Sequence, residues 1–151
     1  MIIEIPCATP ADTRAVGRRL ASLLRSGDVV LLAGDLGAGK TVFAGGIGEG
    51  LGLDQPVVSP TFVLARRYRG LMPMVHVDLY RLGSSSEIDD LDLDTEAADG
   101  VLVVEWGQAA EQSFGEDYLM VRIEVAPGGE RTVELIPHGS WSRRPLSEVV
   151  G

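Results

Sequence analysis

Apolar and polar positions in the first third of the chain follow the spacing of strands and helices in turn. Residues 1–5 alternate loosely, as in a short strand, and Thr9 opens a Thr-Pro-Ala-Asp sequence typical of a helix start. Apolar residues then recur at helical spacing as far as Leu24, and the apolar run of residues 29–33 predicts a buried strand. A strand, a helix and a second strand are therefore expected before residue 34.

Strand-like patterns dominate the chain from residue 62 onward. Gly and Pro separate the first two alternating segments, which predicts a hairpin or two neighbouring strands. A Pro-Gly-Gly-Glu turn joins the last two and predicts another hairpin. The segment between these pairs is an unbroken apolar run that ends in Glu-Trp. The segments are residues 62–69, 74–79, 101–106, 118–125 and 131–137.

Other segments have weaker patterns. A helix predicted from Lys40 has four glycines within or beside it, so it either relies on packing or bound phosphate, or it ends near Gly45. Residues 84–87 predict a helix cap, and residues 107–113 predict a short helix. Periodicity is lost over residues 139–151, which predicts a tail or a loosely docked end.

A glycine-rich stretch between the buried strand and the next helix carries the clearest chemistry. Residues 34–41 read Gly-Asp-Leu-Gly-Ala-Gly-Lys-Thr, which is the G-x-x-x-x-G-K-[ST] spacing of a phosphate-binding P-loop. The glycines let N–H groups approach a polyphosphate, and the helix dipole favours the same anion. Lys40 would reach the β- and γ-phosphates, and the Thr41 hydroxyl would bind Mg²⁺. Lys40 is also the only lysine among 13 Lys and Arg residues, and a compact ammonium suits a crowded phosphate.

Two acids stand where predicted strands end, at Asp78 and Glu105. Ligands of α/β sheets bind at such strand ends, so either acid could hold Mg²⁺ through water while the other orients the attacking water. Glu105 follows the longer apolar run and is favoured for the metal side. Thr61, in a Ser-Pro-Thr loop, would sense the γ-phosphate. His76 is expected to make a structural hydrogen bond on the Asp78 side of its strand, and Trp106 to pack near the nucleotide or to close the core.

Composition narrows the class of protein. With 151 residues, 45% of them hydrophobic, and neither a repeat nor a linker, residues 1–151 are expected to form one domain. Cys7 is the only cysteine, so it is expected to be a small buried hydrophobe rather than part of a disulfide or a metal site. No apolar run approaches the roughly 18 residues of a membrane span, and no basic leader precedes one. A cytoplasmic protein without a membrane partner is expected.

The charge pattern argues against nucleic acid as a direct partner. A net charge of −9 disfavours broad nucleic-acid binding by the chain alone. Arg66, Arg67 and Arg69 surround Tyr68, which is compatible both with a local basic patch and with a solvated strand edge. Residues 87–99 contain seven acids in thirteen positions and are predicted to be a solvated helix and loop, not a metal site.

The absence of one motif indicates the nucleotide. Guanine-specific P-loop proteins read the base with Asn-Lys-x-Asp, but the sole lysine already belongs to the P-loop, so ATP is expected. Unless an arginine such as Arg81 reaches the transferring phosphate, hydrolysis should be slow until a partner completes the site. Two other functions stay open. One is a small-molecule kinase, against which the lack of a basic lid counts, and the other is a nucleotide-dependent binding module.

Four blocks of the sequence, in order and spacing, resemble the TsaE (YjeE) family. They are residues 34–41, Ser59-Pro60-Thr61-Phe62, residues 76–82 (His-Val-Asp-Leu-Tyr-Arg-Leu) and Glu105-Trp106. The resemblance implies an α/β fold with a single P-loop NTPase domain and a mixed sheet, parallel in its centre and antiparallel at its sides. It also implies an ATPase that supports the TsaB–TsaD pair in making threonylcarbamoyladenosine beside the tRNA anticodon, with tRNA reached only through that complex.

The residues and the resemblance together give the expected site. Lys40, Asp78 and Glu105 are expected to be catalytic, and Thr41 and Glu105 to hold Mg²⁺. One departure lies beside the loop at Val42, where family members commonly have a second hydroxyl residue. The residues expected to contact ATP are Asp35, Leu36, Gly37, Ala38, Gly39, Lys40, Thr41, Val42, Thr61 and Trp106.

Overall fold

The computed structural model describes residues 1–35, 37–58, 65–79, 92, 97–106 and 111–151, with the backbone only of residue 112. Several predictions lie outside these residues. They concern the phosphate contact of Leu36, the γ-phosphate sensor Thr61, the cap at residues 84–87, Arg81, most of the acidic stretch, and residues 107–110 of the short helix.

Seven strands of the described residues form one mixed sheet. They are β1 (Ile3–Cys7), β2 (Val29–Ala33), β3 (Ala65–Tyr68), β4 (Met74–Asp78), β5 (Val101–Glu105), β6 (Leu119–Val125) and β7 (Arg131–Pro137). Their order across the sheet is β1-β7-β6-β2-β5-β4-β3. The central strands β6, β2, β5 and β4 run parallel, whereas β1, β7 and β3 pair antiparallel at the flanks. The predicted fold class, a mixed sheet with a parallel centre and antiparallel sides, is confirmed.

In the described part of the chain, two α-helices cover one face of this sheet. They are α1 (Pro10–Leu20) and α2 (Lys40–Gly50), and short 3-10 helices occupy Ala21–Leu23, Glu111–Ser113, Gly139–Arg143 and Leu146–Val150. The predicted start of α1 is confirmed, because Thr9 accepts from the Asp12 amide while the Asp12 carboxylate accepts from the Thr9 amide. This reciprocal capping satisfies two N–H groups that the helix leaves unpaired. No helix among the described residues is long and apolar enough to cross a membrane.

The central strands β2, β4 and β5 are buried on both faces, as expected for a parallel sheet centre. Val30 and Leu32 of β2 pack with the helices, while Leu31 and Ala33 face the opposite side and pack with residues of β4 and β5. The residues of β5 are fully buried along its whole length, including Glu105. A carboxylate at the end of such a strand needs polar partners, which the candidate site supplies.

Helix α2 runs to Gly50, so the alternative of an early end near Gly45 is wrong. Its glycines allow a close crossing with α1, because a Cβ on Gly46 would lie 2.1 Å from the Arg14 carbonyl oxygen. In the same way, a Cβ on Gly17 of α1 would lie 2.4 Å from the Phe43 carbonyl oxygen. The packing of two backbones without side chains between them therefore offsets the low helix propensity of glycine.

Residues 139–151 are docked on the domain, whereas the lost periodicity predicted a tail or loose end. Trp141, Leu146 and Val149 are buried in the core that α1 shares with the sheet. The guanidinium of Arg144 forms two hydrogen bonds with Asp28, at 2.5 and 2.8 Å, and covers the Trp141 ring. Short 3-10 helices have no long apolar repeat, so periodicity does not detect a segment anchored by three separate side chains. That residues 1–151 form one domain stays a prediction.

Candidate nucleotide site

The glycine loop connects the end of β2 to the start of α2, as the sequence predicts. Gly34, Gly37 and Gly39 have φ angles of 149°, 83° and 111°, and α2 begins at Lys40. Only glycine adopts such angles without strain. At Gly34 there is a second constraint, since a Cβ would lie 2.5 Å from the Ile123 carbonyl oxygen on β6. The loop is therefore shaped both by its own glycines and by the neighbouring parallel strand.

Lys40 lies inside this loop and is 4% exposed. Its Nζ donates to the carbonyl oxygens of Gly34, at 2.6 Å, and Asp35, at 2.9 Å. Burial lowers the pKa of Lys40, and the negative charges of Glu105, Asp78 and Asp35 partly oppose that change. The Lys40 ammonium is buried, and its hydrogen-bond acceptors are uncharged carbonyl oxygens. Replacing these acceptors with phosphate oxygens would be favourable, because a buried cation forms stronger hydrogen bonds with negatively charged acceptors.

The two predicted carboxylates lie side by side. Asp78 ends β4 and Glu105 ends β5, and the two residues are paired in the parallel register. Glu105 is 4% exposed, and its Oε2 accepts a hydrogen bond of 2.9 Å from the hydroxyl of Thr41. Asp78 is half-buried. The carboxyl edge of the parallel strands thus brings an acid into contact with the first turn of α2.

His76 supports Glu105 from the same strand as Asp78. Its ring is fully buried, and Nε2 lies 2.6 Å from Oε2 of Glu105. An ionised carboxylate only accepts hydrogen bonds, so Nε2 is the donor in this pair. Within the described part of the chain, Nδ1 of His76 has no hydrogen-bond partner. The predicted structural hydrogen bond of His76 is present, and its acceptor is the carboxylate favoured for the metal.

Trp106 follows Glu105 and turns back over the loop. Its φ angle is +66°, which non-glycine residues rarely adopt. The Lys40 ammonium lies 3.9 Å from the centroid of its ring, and the indole also packs against the core on the far side of the sheet. The predicted packing of Trp106 against the core is present, and its ring also contacts Lys40, whereas its packing near a nucleotide stays a prediction.

The described residues of the predicted site come together at one edge of the sheet. Gly39 is the N-cap of α2, and Lys40 and Thr41 are its first two residues. Val42 is half-buried in the first turn of the helix. The Asp35 carbonyl accepts from both the Ala38 amide and Lys40. Cys7 is a buried free thiol in β1, as expected.

Sequence reasoning missed one residue of this region. Arg131, at the start of β7, donates from Nε to the Ala38 carbonyl oxygen at 3.0 Å and from Nη2 to the Gly37 carbonyl oxygen at 3.2 Å. It is separated from the loop by more than 90 positions in the chain. Arg131 follows an ordinary hairpin turn, and no local pattern marks it.

The donor set fits a magnesium nucleotide. The Thr41 hydroxyl and the Glu105 carboxylate are hard oxygen donors placed together, which suits Mg²⁺. Among the described residues there is no group of three or more His, Cys, Asp or Glu side chains able to hold a metal. Few protein ligands are typical of Mg²⁺, which keeps several waters and takes the remaining oxygens from phosphates.

A glycine loop that wraps a buried lysine, between a parallel strand and a helix with two acids beside it, is the arrangement of a P-loop nucleotide-binding protein. Residues 7–133 match the family model described as "Threonylcarbamoyl adenosine biosynthesis protein TsaE". The chain belongs to the TsaE family.

Individual relatives agree with that assignment. A protein of Streptomyces coelicolor named tRNA threonylcarbamoyladenosine biosynthesis protein TsaE is 54% identical over 119 residues, which are 76% of this chain and 80% of the relative. The protein of the same name from Bacillus subtilis is 39% identical over 133 residues, covering 87% of this chain and 83% of the relative. The crystal structure of Bacillus subtilis YdiB matches with a TM-score of 0.80 and 30% identity, covering 99% of this chain and 94% of that one.

Proposed function

We propose that this protein binds ATP with Mg²⁺ and hydrolyses it in the synthesis of threonylcarbamoyladenosine in tRNA. The observation that carries the proposal is the Thr41–Glu105 hydrogen bond beside the loop that holds Lys40. It supports the proposal because a phosphate-bound cation and a triphosphate need a hydroxyl, a carboxylate and an ammonium close together. The names of the relatives support the tRNA modification as the process that this site serves.

Each side chain has a role that follows from its position. Lys40 would exchange the carbonyl oxygens of Gly34 and Asp35 for β- and γ-phosphate oxygens. Thr41 and Glu105 would hold Mg²⁺, which when bound neutralises charge developing on the phosphates. Asp78, the register neighbour of Glu105, would orient the attacking water.

Contacts to the nucleotide would come from the loop and its surroundings. We assign them to Asp35, Leu36, Gly37, Ala38, Gly39, Lys40, Thr41, Val42, Thr61 and Trp106. The amide groups of the loop and the start of α2 would bind the phosphates, because they form an anion site with the helix dipole. Trp106 would stay near the phosphates through its contact with Lys40.

Partners are expected to set the rate of hydrolysis. Among the described arginines, Arg131 contacts the loop by donating hydrogen bonds to two of the loop's carbonyl oxygens. Its guanidinium is therefore held away from the side of the loop that would bind phosphate. We therefore propose that hydrolysis is slow in the isolated protein and faster with TsaB and TsaD. The net charge of −9 favours contact with tRNA through such a complex over direct binding, and the cytoplasm is the proposed location.

The test is ATP hydrolysis measured as inorganic phosphate release, with and without purified TsaB and TsaD of the same organism. The wild type should hydrolyse slowly alone and faster with both partners. Lys40→Ala should lose nucleotide binding, and Glu105→Gln should keep a folded protein but lose Mg²⁺-dependent turnover. If partner-stimulated phosphate release persists in Lys40→Ala, the P-loop does not drive it. Phosphate appearing on a metabolite would instead identify a kinase.

A further inference from the structure

The guanidinium of Arg131 lies against the outer side of the glycine loop. Besides its bonds to the Gly37 and Ala38 carbonyl oxygens, its Nη1 donates to the Gly129 carbonyl oxygen at 2.8 Å. One planar side chain thereby connects two successive peptide groups of the loop to the turn before β7. Arg131 is half-buried, and its Nε lies 3.8 Å from the position that a Cβ on Gly39 would take.

Few other contacts fix this part of the loop. A Cβ added at Gly37 would find no described atom within 4 Å, so the space on that side of the backbone is open. Glycine also has the largest conformational freedom to lose when the backbone is ordered. The described contacts that restrain these peptide groups are the Arg131 bonds, the burial of the Ala38 side chain in the core, and the turn closed by the Ala38 amide on the Asp35 carbonyl oxygen at 3.0 Å.

The direction of the carbonyl groups determines where the amides point. In a planar trans peptide the N–H group is opposite the C=O group, and the chain has no cis peptide bond among its described residues. Because the Ala38 carbonyl points to Arg131, the Gly39 N–H points away from it. A P-loop binds phosphate through backbone N–H groups that point toward the inside of the loop, which is the direction opposite to Arg131.

We propose that Arg131 is a positioning residue for nucleotide binding, which holds the glycine loop in its phosphate-binding shape before the ligand arrives. The inference rests on the proposed function, because it concerns affinity for the same phosphates. Arg131 acts through the loop carbonyls and does not itself contact phosphate. The planar fork of arginine is needed, because three separate nitrogen atoms reach the carbonyl oxygens of Gly37, Ala38 and Gly129, and one ammonium nitrogen does not reproduce that arrangement.

The experiment compares the wild type with Arg131→Lys and Arg131→Met, and uses Arg143→Lys, at the exposed last residue of the 3-10 helix Gly139–Arg143, as the matched control. Dissociation constants for MgATP and for pyrophosphate are measured by calorimetry. Hydrogen exchange of the Ala38 amide is measured by NMR in the nucleotide-free protein, together with the urea midpoint of unfolding.

Both Arg131 variants should bind ATP and pyrophosphate about tenfold more weakly, and their Ala38 amide should exchange about tenfold faster, from the loss of two hydrogen bonds. The urea midpoint should change little, and Arg143→Lys should match the wild type. Wild-type affinity in Arg131→Lys would overturn the proposal, because charge alone would then suffice. A loss of affinity for ATP without a loss of affinity for pyrophosphate would also overturn the proposal, because Arg131 would then act on the nucleoside and not on the phosphate loop.

The exchange measurement separates this inference from the proposed function. A wild type that binds neither ATP nor pyrophosphate would refute nucleotide binding itself. Unchanged Ala38 exchange in both Arg131 variants of a protein that does bind ATP would refute only the positioning role.

Discussion

Thr41 and Glu105 are joined by a hydrogen bond of 2.9 Å although 64 positions separate them in the chain. The hydroxyl comes from the first turn of α2 and the carboxylate from the end of β5. Because β2 and β5 are adjacent parallel strands, the loop after one strand meets the acid at the end of the other. This contact connects phosphate binding to the carboxylate side of the site.

The Thr41 hydroxyl should be required for the metal-dependent part of ATP affinity. Thr41→Val keeps the shape but removes the oxygen donor, whereas Thr41→Ser keeps the donor. We expect Thr41→Val to lose the difference in ATP affinity between Mg²⁺ and EDTA and to lower the hydrolysis rate by about 100-fold, a typical effect of removing one preorganised polar group. Thr41→Ser should retain most of both. Equal metal dependence in Thr41→Val and wild type would contradict the assigned role.

His76 should hold the Glu105 carboxylate in its orientation. Its Nε2 is the buried donor at 2.6 Å, and a glutamine amide nitrogen reaches a similar place whereas leucine has no donor. His76→Leu should reduce Mg²⁺-dependent hydrolysis by about tenfold or more and destabilise the fold by about 1–3 kcal/mol. His76→Gln should recover part of the turnover. Turnover and urea unfolding are measured on both variants, and equal turnover in the two would argue against an orienting hydrogen bond.

Adjacent glycines of α2 should respond to alanine in opposite directions. A Cβ at Gly45 finds open space, so Gly45→Ala should stabilise the protein by about 0.5–1 kcal/mol through helix propensity. A Cβ at Gly46 would meet the Arg14 backbone at 2.1 Å, so Gly46→Ala should destabilise it by about 1–3 kcal/mol. Free energies of unfolding in urea test both. A Gly46→Ala protein as stable as Gly45→Ala would mean that the two helices are further apart.

The C-terminal segment should contribute strongly to stability. Trp141 is 1% exposed, and its ring is covered by the Arg144 guanidinium. Trp141→Ala should lower the free energy of unfolding by about 3–5 kcal/mol, as for other buried aromatic residues. The exposed neighbour Ser142, changed to alanine, should have an effect within about 0.5 kcal/mol. Thermal and urea unfolding would show equal stability for the two variants if the segment were a loose tail.

Asp117 should give a small acid-dependent contribution to stability. The side-chain and backbone hydrogen bonds from Ser140 lower the pKa of Asp117 below its ordinary value of 3.8. A lowered folded-state pKa stabilises the protein above pH 3.8, and this stabilisation is lost as the pH falls through the folded pKa. At pH 7 the free energy of unfolding of the wild type should exceed that of Asp117→Asn by less than about 1 kcal/mol, because the carboxylate is exposed. A difference that does not shrink below pH 3.8 would contradict this linkage.

Sequence reasoning predicted the parts of the site that are contiguous in the chain. The spacing of residues 34–41 is sufficient for a P-loop because the phosphate cradle is made by successive backbone groups, whose angles the glycines determine locally. Strand ends were also predictable, since an apolar run that stops at an acid defines both the buried strand and its polar end. The positions of Asp78 and Glu105 at the ends of β4 and β5 follow from this pattern.

The glycine loop, its lysine and the two strand-end acids can be predicted from the amino-acid sequence, because they depend on short-range backbone geometry and periodicity. Three contacts are visible only in the folded protein: Glu105 with Thr41 and His76, Arg131 of β7 with the loop, and Trp141 with the core. The physical reason is that these contacts join segments far apart in the chain. The order of the strands and the close crossing of α1 and α2 bring them together, and neither is encoded in any local spacing of polar and apolar residues.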